Sequence, residues 1–239
     1  MKLLETKQSN TKIKKTQLEY NKRDALKMSI RLASMSLMPD SIICAGSKAA
    51  NCFETCLKSA GRGAFNNVAM ARQAKTDYWH SDKSAFLAQL RAELTAFAKL
   101  CDRQGVQGIV RLNTISDIDW ETYNIPQSFP TLKFYDYTKR AHRLGKTPAN
   151  YKLMLSYSGA PKYQNQLKAL PDNVPLAVVF RGELPEHFRG RKVIDGDKSD
   201  LVNVEAGGVV IGLRAKGKAK KDYSGFVVDT PNNLIAVGG

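Results

Sequence analysis

Short apolar runs recur along the chain at crossover-length intervals, and this recurrence constrains the fold more than any other feature. Residues 29–37, 108–113, 131–137, 151–156, 175–180 and 208–213 each read as a strand, and 192–197 supplies another. Several are continuously apolar, as strands of a parallel sheet covered on both faces are. Between the first two lies the clearest helical pattern. Phe86, Leu87, Leu90, Leu94, Phe97, Ala98 and Cys101 recur at steps of three and four, which marks one buried face. Ser81-Asp82 opens that helix, and Gly105 and Gly108 close it. Repeating strand–helix units predict an α/β fold with mostly parallel strands. The expected form is a (β/α) barrel, incomplete or irregular, with a doubly wound open sheet as the alternative.

One domain over 1–239 is expected, with a polar arm at 1–16 and an irregular cover at 216–239. At 239 residues and 43% hydrophobic, the chain can bury one sizeable core. No run approaches ~18 consecutive apolar residues, and the basic N-terminus lacks the apolar segment of a secretory signal. The expectation is therefore a cytoplasmic protein with no membrane segment and reduced cysteines.

Three of the four cysteines, Cys44, Cys52 and Cys56, fall within 13 residues just after the first strand. Clustered thiolates in a reducing compartment point to zinc, copper(I) or an iron–sulfur cluster. Zinc needs a fourth ligand, for which His80 is a candidate. A cluster on three cysteines leaves one iron open to a substrate or to a cofactor such as S-adenosylmethionine. The gaps of seven and three residues differ from the shorter gaps usual in radical enzymes that use that cofactor. Only the layout agrees: a barrel with its cysteine loop after the first strand. Structural, metal-free thiols remain the other reading. Cys101 belongs to the apolar helix stripe.

Polar residues follow the strands. In a barrel these would converge on one mouth with the cysteine loop. Asp117, Asp136 and Lys139 are the candidate catalytic residues, and Asn113, Ser116, Ser156 and Arg181 the candidate cofactor-binding ones. Asp119 reads as a helix cap ahead of Trp120-Glu121 rather than a metal partner of Asp117. Asp195-Gly-Asp197-Lys-Ser-Asp200 reads as a turn. Taken singly, each of these residues is as readily a strand terminator or a helix cap.

Ser36-Leu-Met-Pro39, Cys56-Leu57, Ser116-Asp117-Ile-Asp119-Trp120, Phe134-Tyr-Asp136-Tyr-Thr138-Lys139 and Ser224-Gly225-Phe226 follow one another along the chain. In this order the segments resemble the phage gene-product-eighty-eight family. The resemblance implies a phage or mobile-element origin and action inside a bacterial host, and brings no activity with it. A more distant likeness is to phage barrel proteins of the radical S-adenosylmethionine type.

Lys and Arg number 37 against 22 Asp and Glu, a net charge of +15. Such a surface attracts polyanions. Two functional expectations follow. One is an iron–sulfur enzyme acting on a nucleotide or nucleic acid. The other is a basic nucleic-acid-binding protein with a zinc-stabilised or metal-free cysteine loop and no catalysis.

Overall fold

The structure, a computed structural model, describes residues 1–6, 11–23, 29–168, 170, 173–198 and 207–230. Its strands are β1 (Ile30–Ser34), β2 (Gln107–Arg111), β3 (Lys133–Thr138), β4 (Tyr151–Ser156), β5 (Leu176–Arg181), β6 (His187–Phe188), β7 (Arg191–Asp195), β8 (Val210–Arg214) and β9 (Val228–Asp229). The helices are α1 (Thr11–Arg23), α2 (Asn66–Ser81), α3 (Lys83–Gln104) and the short α4 (Pro161–Gln164).

The sheet runs β1-β2-β3-β4-β5-β8-β7-β6, and β9 pairs with the end of β5. Every pairing is parallel except the β6–β7 hairpin. From β1 to β5 spatial order follows chain order. Beyond β5 the order reverses, with β8, β7 and β6 following in descending chain order, so the sheet has neither the unbroken winding of a barrel nor the order of a doubly wound sheet. The sheet does not close into the expected barrel. One end of the sheet is the β6–β7 hairpin, and β1 is the other.

The free edge of β1 has its own cover. Leu32 N–H donates to Gln17 Oε1 (3.1 Å) and Ile30 N–H to Asn21 Oδ1 (2.9 Å), both from α1. Glu5 and Ser34 form an antiparallel bridge. Side chains and the N-terminal segment thus take the hydrogen bonds that a closing strand would use. The N-terminus is not the polar arm expected. Leu3 and Leu4 are fully buried, their N–H groups donate to the Glu93 carboxylate, and Lys75 Nζ donates to Leu3 O (2.9 Å).

α3 forms as its pattern predicts. Asp82 caps it by accepting from Ala85 N–H (2.9 Å), and Gly105 ends it at φ 59°. Its buried Phe86, Leu90, Leu94, Phe97 and Cys101 pack on Ala33, Val110, Leu112 and Phe134. A Cβ on Gly108 would stand 2.5 Å from Leu132 and 3.0 Å from Cys101 Sγ, so glycine there permits the close approach of β2 and α3. The opposite face of the sheet carries Ile30, Leu32, Ile109, Tyr135, Met154, Ala177 and Ile211, a second core built from six strands. α2 is preceded by Phe65 in extended backbone with no side-chain cap. Within the expected C-terminal cover, residues 217–221 form a turn of 3-10 helix and β9 joins the sheet; residues 231–239 lie outside the described residues.

Candidate functional site

The carboxyl ends of β1, β2, β3, β4, β5 and β8 open onto one cavity of about 1030 Å³. Parallel α/β sheets bind ligands at this edge, where the loops leave the strands. Ser36 follows β1; Asn113, Ser116 and Asp117 follow β2; Lys139 follows β3. Ser156 ends β4, and Arg214 ends β8. Cys44, Cys52 and Cys56 line the same cavity.

The cysteine loop is wound locally and seated at two points. Asp40 Oδ1 accepts from the N–H groups of Ile42 (2.7 Å) and Ile43 (2.9 Å), which starts the first turn. Ser47 Oγ donates to Cys44 O (2.6 Å), and Cys52 N–H donates to Ser47 O (3.1 Å), which folds the seven-residue gap back on itself. Asn51 takes the left-handed conformation, φ 54°. Gly46 serves another purpose: a Cβ there would stand 2.7 Å from Lys139 Cβ. The loop therefore rests on the β3 end. Ser158 Oγ donates to Ala50 O (2.8 Å) and ties it to the residues after β4.

Asp117 is buried beneath this loop. Its Oδ2 accepts from Lys139 N–H (2.9 Å) and Thr138 Oγ1 (3.2 Å), and its Oδ1 from Arg143 Nη1 (2.6 Å). Lys139 Nζ donates to Ser156 O (3.0 Å) and Tyr157 O (2.9 Å) and lies 4.4 Å from the Phe226 ring centre. Burial pushes the Lys139 ammonium down, and Cys52, Cys44, Asp117 and Cys56 oppose that shift. The Cys44 thiol is pushed up to about 12 by burial, then by Asp117, Cys52 and Cys56. Burial also raises Cys52, against the pull of Lys139. It raises Cys56 too, where Lys58 and Arg72 pull the other way. Cys44 and Lys139 each feel all the other sulfurs of the loop, so the thiols and the ammonium share one neighbourhood. Among the described residues no three His, Cys, Asp or Glu side chains stand close enough to chelate one metal ion.

The other predicted residues divide. Asn113 lines the cavity, but its amide is committed to the turn: Oδ1 accepts from Ser116 Oγ, Ile118 N–H and Trp120 Nε1, and Nδ2 donates to Ile118 O. Asp136 lies behind the wall, fully buried, accepting from Asn113 N–H (2.8 Å) and Tyr151 OH (3.0 Å). Arg181 is also outside the lining. Its guanidinium holds Asp229 and the carbonyls of Lys220 and Asp222. Asp119 pairs with Arg140 (2.9 Å) and makes no side-chain cap, so ion pairing replaces the expected capping role. His80 Nε2 is bound to Asp40 (2.6 Å), away from the cavity lining.

Sequence reading missed Arg72, Lys75, Arg111, Lys216, Lys220 and Phe226, all of which line the cavity. Arg111 alone left a signal, a charge at the end of an apolar strand. The rest reach the cavity from α2 and from the C-terminal segment, which no local pattern connects to the strand ends. Seven basic side chains line the cavity against three acidic ones, so it favours an anionic ligand.

Fold and site together define an α/β protein with an open, mostly parallel sheet and a cysteine-walled cavity at its carboxyl edge. The chain belongs to the Gene product 88 family, a phage-type family whose model matches residues 3–230. Searches of curated proteins and of solved structures returned no match. Among the described residues no helix is long and apolar enough to cross a membrane.

Proposed function

We propose that this protein is an iron–sulfur enzyme acting on an anionic, nucleotide-like molecule held in the strand-end cavity. One observation carries the reading: Cys44, Cys52 and Cys56 share a wall of the cavity with Asp117 and Lys139. The donor set suits a cluster. It is all thiol, it comes from one loop, and Lys139, Lys58 and Arg72 offset the charge of thiolates. The zinc alternative lacks its named fourth ligand, since His80 is engaged with Asp40.

A cluster held by Cys44, Cys52 and Cys56 would supply single-electron chemistry to a cofactor of the S-adenosylmethionine kind. The chain's own residues do the rest. Asp117 fixes the backbone of Lys139 and so sets the floor under the loop. Lys139 places a positive charge beneath the thiols. Ser116 and Ser156 bring polar groups to the rim of that floor, and Arg72 and Arg111 supply charge for an anionic substrate.

Anaerobic purification followed by iron and sulfide analysis tests this directly. The expected protein is brown, with about four irons and four sulfides per chain, and Cys56→Ser loses both. Colourless protein that takes up no iron on anaerobic reconstitution would sink the cluster.

A further inference from the structure

The cavity mouth carries a structure that the cluster chemistry does not use. Residues 217–221 form a short 3-10 helix beside the cysteine loop, in which Lys218, Lys220 and Lys221 are all exposed. None of the three has an ion pair among the described residues. Lys220 and its neighbour Lys216 also line the cavity. Directly after them comes Tyr223, 76% exposed, the most exposed aromatic ring described.

Tyr223 is exposed yet held. The Arg181 guanidinium lies 4.1 Å from its ring centre on one side. That same guanidinium grips the carbonyls of Lys220 and Asp222. Asp222 is buried and accepts from Ser224 Oγ (2.7 Å) and Val227 N–H (3.1 Å). Asn51 Nδ2, from the cysteine loop, donates to Ser224 O (2.9 Å). The ring is thus supported from behind, with its surface open to solvent, between a row of lysines and the loop that walls the cavity. A solvent-facing tyrosine with no partner gains nothing from such support. A ring that receives a stacked base does, because a fixed platform loses little entropy on binding.

We propose that the substrate is a single-stranded nucleic acid: its backbone follows Lys218, Lys220 and Lys221, one base stacks on Tyr223, and the adjoining nucleotide enters the cavity. The inference rests on the reading of the cavity as a nucleotide-like site and specifies the form in which the nucleotide arrives. Proteins that bind single strands combine a basic track with stacking aromatics. Enzymes that act on one base need it out of the duplex, and a single strand supplies it already unpaired. A duplex hides its base faces and cannot use the Tyr223 platform.

Fluorescence anisotropy with a fluorescein-labelled oligothymidylate tests the proposal on the full chain without added metal. Tyr223→Ala is expected to weaken binding about 5-fold or more, and Tyr223→Phe to retain it. Lys218→Glu with Lys221→Glu is expected to weaken binding and to make its salt dependence shallower. Lys133→Glu with Lys152→Glu makes the same charge change at the far edge of the sheet, at the starts of β3 and β4, and is expected to shift affinity less than about 2-fold. Circular dichroism verifies that each variant is folded. Unchanged affinity in Tyr223→Ala, equal losses in the two lysine pairs, or equally tight binding of a duplex of the same length would overturn the proposal. The cluster has a separate readout. Cys56→Ser should lose iron and still bind the oligonucleotide, so failure of one reading is visible without failure of the other.

Discussion

At the scale of single residues, Gly46 and Asp136 make opposite points about the site. Gly46 lies in a loop whose sequence offers several reasons for a glycine, and its φ is not among the positive ones. The reason is space: the loop backbone passes so near Lys139 Cβ that any side chain collides with it. Gly46→Ala should cost about 1–3 kcal/mol, seen as a lower urea midpoint, and should reduce iron uptake by lifting the loop. A variant as stable as the parent would mean that the loop is not seated on β3. Asp136 reads in sequence as one more strand-end acid, yet it serves the wall and does not touch the cavity. Burial raises its carboxyl from the ordinary 3.8 to about 7, against the pull of Arg111, Asn113 N–H, Tyr151 OH and Arg143. In that window the folded protein keeps a proton that the unfolded chain has released. Its stabilising contribution is complete below 3.8 and is lost as pH rises to about 7. Asp136→Asn should therefore flatten the fall in urea midpoint between about pH 4 and 7; an unchanged slope would show that another group governs it.

At the scale of elements, legibility followed length and period. α3 was readable because 22 residues repeat one stripe and both ends carry capping residues. Of the expected strands, β1, β2, β3, β4, β5, β7 and β8 appear within a few residues of their expected bounds. β6 and β9 have two residues each, too few for any period to show. α1 begins at Thr11, inside the expected polar arm of 1–16. Its role depends on partners that the local pattern does not contain. Gln17 and Asn21 close the hydrogen bonds of the β1 edge. Replacing both with alanine should cost about 2 kcal/mol and expose an edge that pairs between molecules. Light scattering should then rise with protein concentration. Scattering equal to the parent's would show that the β1 edge is protected by other means.

At the scale of the whole molecule, the sequence by itself determined the class of fold, the direction of the strands and the edge where a site would lie. Those follow from apolar runs separated by crossovers, which are local facts. It also showed that three cysteines leave the first strand together. Tertiary structure alone decided the rest. Closure depends on what meets the free edge of β1, and α1 meets it there with side chains, so the sheet stays open. Entry to the cavity depends on side-chain direction at each strand end. Ser116, Asp117, Lys139 and Ser156 reach it, Asn113 reaches it with its amide already committed, and Asp136 and Arg181 do not. The basic wall is drawn from α2, β2 and the segment around residues 214–220, stretches separated by tens of residues or more. Period and composition act over a few residues at a time, whereas a cavity is set by which distant surfaces the packed core brings face to face.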